Sequence, residues 1–422
     1  MKKIVLKFGG TSLMDTRRIQ NAAEIVERVA AEGYEIVVVV SAMGHTTDHL
    51  LSLARDIEKT PNGRELDALL STGELISASL MTVALQARGF SAKSFTGAEA
   101  GIVTNSKFGA AEISRLDTSK LFKCLHLSTI PVVAGFQGVD KDNNVTTLGR
   151  GGSDATAILL AGAIEAERCD IYTDVDGVYS VDPRLSSHAY KLDAISFEDM
   201  LAMAKCGAKV LQARSVESAM RNHVQVRVRS TFAPNDPGTL VTEKASQVNQ
   251  FTGLAIDKSR CCLKVELNHL GTCERSTQRT YRHDRHTLKN KVELALIEAG
   301  IDFEFGRSIR DAAYELGICI AEDELERALE VVRQNILVGT EELSVKCERI
   351  IVQKNLAKLS IIGAQLSSSY EVSIMQSLTK AAISIALIHS QDRQLSVMIP
   401  TESIEKAIDL THQNYCPLKL AS

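Results

Sequence analysis

The chain has 422 residues, 45% hydrophobic and 24% charged, and a net charge of −4. That length exceeds one ordinary domain, so about two to four are expected. The balance of charge excludes bulk nucleic-acid binding and a basic membrane-surface role, and no apolar run reaches the length of a bilayer span.

The first strand is expected at residues 2–8, where Ile4-Val5-Leu6 runs into Lys7-Phe8-Gly9-Gly10-Thr11-Ser12. With a strand opening at once, no signal peptide is expected. Glycines let backbone N–H groups approach oxygen atoms that a Cβ would keep away, and a lysine at the mouth is a compact positive charge. The turn therefore suits an anion such as a nucleotide phosphate, although a purely structural turn uses the same residues. The spacing of a P-loop is absent. A helix is expected at 16–31 and a strand at 36–40, where the β-branched run Ile36-Val37-Val38-Val39-Val40 reads as buried on both faces. Ser71-Thr72-Gly73-Glu74 reads as the opening of a helix at 74–88, with Glu74 either capping it or holding an ammonium group.

Strands at 92–95 and 130–134 precede Leu148-Gly149-Arg150-Gly151-Gly152-Ser153-Asp154, which leads into a helix at 153–166. Glycines at a helix N-terminus present free amides and the positive end of the dipole to a phosphate. Arg150 can grip a carboxylate with two parallel bonds, and Asp154 also suits a helix cap. A strand at 168–173 ends in Tyr172-Thr173-Asp174-Val175-Asp176-Gly177-Val178-Tyr179, followed by Asp182-Pro183-Arg184. Carboxylates at a strand end suit a nucleotide or Mg²⁺, and the Asp-Gly pair suits a hairpin equally well. A helix at 196–205 leads to Gly207-Ala208-Lys209-Val210-Leu211, where a surface lysine is the ordinary reading, and a strand follows at 225–229. This alternation implies a three-layer α/β unit with a mostly parallel sheet, whose ligands sit beyond the carboxyl ends of its strands.

Residues 233–249 contain Pro234-Asn235-Asp236-Pro237-Gly238 and read as a linker. Beyond them strand–helix–strand–strand–helix occurs twice. Glu298–Phe303 matches Lys380–Ile385 and Leu325–Leu329 matches Ile404–Ile408, at offsets of 82 and 79 residues. Two small α+β modules are expected, at 250–343 and 344–422. The first carries a basic insert at 274–291 with Arg275, Arg279, Arg282, Arg285, Lys289 and Lys291. A solvated loop is the preferred reading. An anion-binding surface, or zinc on Cys273, His283 and His286, are the alternatives. His45 and His49 carry no metal signature. The nine cysteines lack a C-x-x-C pair and read as reduced thiols in a cytoplasmic protein.

The motifs Lys7–Ser12, Val40–Gly44, Ser71–Glu74, Leu148–Asp154, Thr173–Arg184 and Gly207–Leu211, in this order, resemble the aspartate kinases of the amino-acid kinase superfamily. The K-F-G-G-T-S start distinguishes them from the glutamate, acetylglutamate, carbamate and uridylate kinases. The resemblance spans the chain. It implies an amino-acid kinase catalytic domain over 1–232 and two ferredoxin-like ACT modules behind it, with no dehydrogenase extension. It further implies transfer of the ATP γ-phosphate to the β-carboxylate of L-aspartate, giving 4-phospho-L-aspartate on the way to lysine, threonine and methionine. Mg²⁺ would accompany ATP and no metal would be held by the protein alone.

By the same resemblance Lys7 neutralises the transferring phosphoryl group and Asp154 orients Lys7. Arg150 pairs with the α-carboxylate of aspartate, Glu74 accepts its ammonium, and Ser41 and Thr47 line its pocket. Gly9, Gly10, Gly152 and Ser153 cradle phosphates, while Thr173, Asp174, Tyr179, Arg184 and Lys209 hold the nucleotide. A homodimer or higher oligomer through the ACT modules is implied, with neither nucleic acid nor membrane as a partner. The chain departs from the family at Gln212-Ala213, where His-Pro is usual. It also lacks the Pro-Gly turn of the ACT effector site, reading Leu270-Gly271-Thr272-Cys273 and Gly363-Ala364-Gln365-Leu366-Ser367-Ser368-Ser369 instead. The usual signature for inhibition by lysine or threonine is thus missing. The alternatives are a kinase of the same fold acting on another amino or carboxylic acid, or a nucleotide-binding regulatory partner without turnover.

Overall fold

The computed structural model describes residues 2–243, 245, 251–269, 277–308, 315–338, 345–364, 366 and 368–415. The chain divides into two units. One comprises Met1–Val178, Lys191–Ala204 and Lys209–Ser246, the other Tyr179–Tyr190, Lys205–Ala208 and Gln247–Ser422.

The N-terminal unit begins with β1 (Lys3–Phe8), α1 (Thr16–Ala31), β2 (Glu35–Val40), α2 (Thr46–Ile57), α3 (Gly63–Ala87) and β3 (Ala92–Phe95). It continues with β4 (Ile102–Thr104), β5 (Ile113–Leu116), α4 (Ser119–His126), β6 (Ile130–Ala134), β7 (Gln137–Val139) and β8 (Val145–Thr147). It ends with α5 (Gly152–Ala163), β9 (Arg168–Thr173), β10 (Ala194–Ser196), α6 (Phe197–Lys205), α7 (Ala213–Arg221), β11 (Val226–Ser230) and β12 (Thr239–Thr242). Eight strands form one sheet in the order β10-β12-β11-β9-β1-β2-β6-β3, parallel except where β11 meets β12. Ile4, Leu6, Phe8, Ile36, Val38, Val40 and Val132 pack against Ile19, Ala22 and Val26 of α1 and Met81 and Leu85 of α3. The alternate residues Val5, Val37, Val39 and Val133 are buried as well. Central strands covered on both faces account for the unbroken apolar runs in the sequence. Lys7 falls on this second face, where α5 lies against β1 and β9.

Several features of the N-terminal unit differ from the sequence reading. The helix expected at 74–88 begins at Gly63, after Asn62 accepts a hydrogen bond from the Arg64 amide, so Glu74 is an interior helical residue and not a cap. A second sheet, β5-β4-β7-β8, stands where no strands were expected. Its members are three or four residues long, too short to display a period. Thr239–Thr242, inside the span read as a linker, is β12 and lies between β10 and β11.

The C-terminal unit runs β13 (Gly253–His269), α8 (Thr277–Glu298), β14 (Phe303–Gly306), β15 (Glu315–Ala321), α9 (Leu325–Val338), then β16 (Val345–Ile362), α10 (Ser368–Lys380), β17 (Leu387–Gln391), β18 (Gln394–Pro400) and α11 (Ile404–Tyr415). The duplicated order is the expected one. Both copies contribute to one antiparallel sheet, β14-β15-β13-β16-β18-β17, with the long strands β13 and β16 paired at its centre. At its margins Arg307 and Ile388 exchange backbone hydrogen bonds of 2.8 and 2.9 Å, so the β14 side meets β17 and the sheet curls closed. Leu288, Val292 and Leu296 of α8 and Ala328, Val332 and Ile336 of α9 cover one half of the outer face. Ile374 and Leu378 of α10 and Ala407 and Ile408 of α11 cover the other. The inner face holds Cys262, Cys319, Leu356, Leu387 and Met398 beside a buried ion pair, Lys358 Nζ to Glu304 Oε1 at 2.6 Å.

The preferred reading of the 274–291 insert as a solvated loop is overturned from Thr277 onward, because these residues are helix α8. Leu288, Val292 and Leu296 recur every four residues and supply its core stripe, while Lys289 lies over the Phe305 ring. The turn Leu270–Cys273, Gln365, Ser367 and the side chain of His283 lie outside the described residues.

Candidate active site

Four neighbouring strands, β1, β2, β6 and β9, end at one edge of the large sheet, and the chain just beyond each builds the site. After β1, the Gly9 amide donates to the Tyr172 carbonyl at 3.0 Å, holding the glycine turn over β9. A Cβ on Gly10 would sit 3.0 Å from the carbonyl oxygens of both Ala42 and Gly44. Glycine is thus required for the turns after β1 and β2 to touch, and the Gly44 amide donates to the Gly10 carbonyl at 2.9 Å. Behind them the buried hydroxyls of Ser12 and Thr231 lie 2.6 Å apart.

Lys7 is 7% exposed, and its Nζ lies 2.5 Å from Oδ1 of Asp154 in the first turn of α5. Ser153 is buried beside Gly135, whose Cβ would fall 2.9 Å from that of Ser153. Gly151, with φ 75°, forms the N-cap of α5 and contributes no side-chain capping bond; the Gly152 amide donates to the Gly149 carbonyl at 3.0 Å, and the N-terminal end of the helix with its Ser153 amide faces the site. Arg150 is exposed just ahead of it and has no ion-pair partner among the described residues.

Glu74 comes to this edge from the middle of α3. Its Oε1 accepts the Ala42 amide at 3.0 Å, and its Oε2 is buried without a hydrogen-bond partner among the described residues. Burial raises its pKa to about 7 against the opposing pull of the Ala42 amide, its own backbone and the Lys7 ammonium. A buried carboxylate with one oxygen unsatisfied is suited to receive a positive charge. Ser41, half-buried, donates its amide to the Phe8 carbonyl at 3.1 Å, and Thr47 is half-buried in the first turn of α2.

The structure therefore brings Lys7, Gly9, Gly10, Ser41, Glu74, Ser153 and Asp154 to one edge of one sheet. Thr173 ends β9, with its hydroxyl donating to the exposed Asp174 carboxylate at 3.0 Å, and Lys209 is exposed between α6 and α7. Tyr179 and Arg184 belong to the segment assigned to the C-terminal unit, where Arg184 Nη2 bonds Asp182 at 2.7 Å. His45 pairs with Asp48 at 3.6 Å at the start of α2.

Sequence reasoning missed the residues that brace the site. Asp67, 1% exposed on α3, accepts the Thr147 amide and hydroxyl, each at 2.8 Å, and the Gly109 amide at 2.9 Å. Gln137 donates to the Ser71 carbonyl at 2.8 Å. In sequence Asp67 is one of several charged residues on a helix, and nothing marks it. Phe136, with φ 69°, was signalled only by the glycine before it and the Gln137-Gly138 pair after it.

Residues 2–230 match the model of the amino acid kinase family. The chain is 37% identical over 426 residues to an aspartokinase of Mycolicibacterium smegmatis, covering 98% of this chain and 96% of that one. It is 36% identical over 423 residues to an aspartokinase of Thermus thermophilus, covering 98% and 99%. Among solved structures it resembles E. coli aspartokinase III in complex with aspartate and ADP in the R-state, with a TM-score of 0.77 and 27% identity over 99% of this chain and all of that one. The same enzyme with lysine and aspartate in the T-state gives a TM-score of 0.76 at 26% identity, over 99% of this chain and all of that one. With the glycine turn, the Lys7–Asp154 pair and the buried Glu74 at one sheet edge, the chain belongs to the amino acid kinase family, among the aspartokinases.

Proposed function

We propose that this chain transfers the γ-phosphoryl group of ATP to the β-carboxylate of L-aspartate, yielding 4-phospho-L-aspartate and ADP. The observation that carries the reading is a nearly buried lysine–carboxylate pair sharing a strand edge with a buried glutamate that has one oxygen free. The acceptor is already an anion and needs no general base. Catalysis then consists of aligning two negatively charged groups and offsetting their repulsion.

Lys7 spreads positive charge over the transferring phosphoryl oxygens, and Asp154 keeps its ammonium pointed there. Gly9, Gly10, Gly152 and Ser153 cradle the phosphates. Glu74 takes the α-ammonium, Arg150 the α-carboxylate, and Ser41 and Thr47 line the pocket between them. Thr173, Asp174, Tyr179, Arg184 and Lys209 hold the nucleotide. Mg²⁺ arrives with ATP and, when bound, neutralises phosphate charge. The exposed carboxylate of Asp174 is of the oxygen-donor type that suits it, directly or through water. A homodimer or higher oligomer and a cytoplasmic location belong to the same reading.

Release of ADP measured across a panel of amino and carboxylic acids tests it. L-Aspartate should be turned over far better than glutamate or malonate, and comparable rates on another acid would reassign the acceptor. Replacing Arg150 by alanine should raise the aspartate KM by about 100-fold while leaving that for ATP within about twofold. Equal effects on the two would remove Arg150 from its role.

A further inference from the structure

Helix α3 carries two buried carboxylates, Asp67 and Glu74, 1% and 3% exposed. Their spacing is about two helical turns, so both lie on one face of the helix. Glu74 reaches the strand edge, where it accepts the Ala42 amide. Asp67 reaches the small sheet instead. Its Oδ2 accepts the Thr147 amide at 2.8 Å and the Gly109 amide at 2.9 Å, and its Oδ1 accepts the Thr147 hydroxyl at 2.8 Å. No cation pairs with it among the described residues. One turn further along α3, Gln137 of β7 donates to the Ser71 carbonyl at 2.8 Å. The paired strands β7 and β8 thus hold α3 at two successive turns.

The residues that Asp67 holds open the loop ahead of α5. Thr147 is the last residue of β8, and its carbonyl accepts the Ala111 amide at 2.8 Å. Leu148 then donates its amide to the Phe136 carbonyl at 2.9 Å. Gly149, at φ 73°, packs so closely on Gly109 that its Cβ would lie 3.1 Å from the Gly109 carbonyl oxygen. At the far end of the loop Asp154 meets Lys7. Arg150 therefore stands between two fixed points, Thr147 before it and Asp154 after it.

A carboxylate is an acceptor with two oxygens, so it can take all three donors at once, whereas an amide side chain would turn its NH₂ toward one of them. Burying a charge without a cation is costly, and packing alone would be served by an apolar residue. What the carboxylate adds is direction. An α-amino acid carries its ammonium and its carboxylate on one carbon. Two protein groups that receive them act together only when their separation is held closely. We propose that Asp67 is a positioning residue for the acceptor amino acid: by tying α3 to the 148–151 loop, it sets the separation between the group that takes the α-ammonium and the group that takes the α-carboxylate. This rests on the roles given above to Glu74 and Arg150.

The test compares L-aspartate with two analogues that each lack one handle, using the full chain and melting curves to verify folding. Succinate lacks the ammonium and β-alanine lacks the α-carboxylate. Both are measured as competitive inhibitors against aspartate. Asp67→Asn should raise the aspartate KM about 10- to 30-fold, while the two Ki values and the ATP KM stay within about twofold. Thr147→Val, which removes one donor at nearly constant volume, should raise the aspartate KM about three- to fivefold with the same selectivity. Thr147→Ser, which keeps the hydroxyl, should stay within about twofold of the wild type. A folded Asp67→Asn or Thr147→Val chain with an unchanged aspartate KM overturns the positioning role. So does a parallel rise of the aspartate KM, both Ki values and the ATP KM, which is the mark of a general loss of structure. The wild type separates this claim from the reading beneath it. If it binds aspartate no better than the two analogues, the two-point acceptor site falls and the role of Asp67 with it. If it strongly prefers aspartate and the variants are unaffected, only the role of Asp67 falls.

Discussion

Glu74 shows what one residue's surroundings do to its chemistry. In the unfolded chain its pKa is the ordinary 4.5, and in the folded chain burial raises it to about 7. The folded state thus binds a proton more tightly, and stability falls as pH rises from about 4.5 to 7 and then levels. Glu74→Gln, which keeps an acceptor for the Ala42 amide, should be more stable than the wild type at pH 8 by about 2–3 kcal/mol and nearly equal to it at pH 5. Denaturant melts at the two pH values read this directly. The same variant should lose most of its affinity for aspartate, because only an ionised carboxylate answers an ammonium. In the wild type, kcat/KM for aspartate should fall as pH drops below about 7, while the ATP dependence moves little. At this scale Lys7, Glu74 and Asp154 stand out in their motifs as candidates, and the structure brings the three to one sheet edge. Asp67 does not stand out, because its importance lies in the amides of Gly109 and Thr147 that the fold places around it.

At the scale of elements, the repeat in the C-terminal half extends to its hydrogen bonds. Helices α8 and α10 both end in a left-handed residue, Gly300 at φ 67° and Ala382 at φ 59°. In both, the next amide reaches back to the helix, Ile301 to Leu296 and Ile383 to Leu378, each at 3.0 Å. The adjoining carbonyls of Ala299 and Ala381 each accept a bond from the matching basic residue of the following helix, Arg327 and Lys406. Only one copy has the glycine that this conformation favours. Ala382→Gly should therefore stabilise the chain by about 1 kcal/mol, and Gly300→Ala should destabilise it by a similar amount, measured by urea unfolding. Opposite signs at equivalent positions are the expected result, and equal signs would mean that the two caps are not equivalent. The strand–helix alternation was legible because runs such as Ile36–Val40 and the α1 stripe are long. The small sheet was not, because a strand such as Val145–Thr147 is stabilised by its neighbours and by Asp67, with no pattern of its own.

At the scale of the molecule, the two repeats share one sheet. β13 and β16 pair along most of their length, and the margins of the sheet meet through Arg307 and Ile388. Neither repeat has a sheet of its own to complete. A chain cut after residue 343 would expose the β13 edge and lose the core that α10 and α11 cover, so it should aggregate, whereas the full C-terminal unit should unfold in a single transition. Calorimetry with hydrogen exchange on the intact chain reads this, and two separated transitions within residues 250–415 would show independent modules. The sequence by itself determined the parallel-sheet unit, the duplicated modules and the chemical types gathered at the strand ends, because periodicity, glycine turns and motif order are local properties of the chain. Only the tertiary structure decided that residues 179–190 and 205–208 depart from their sequence neighbours to join the other unit, that a span read as a linker supplies a strand, and that a basic insert becomes a core-packed helix. Each of these depends on partners outside the segment itself, from neighbouring strands and helices to a residue 232 positions away, and no local pattern records the burial and hydrogen bonds such partners supply.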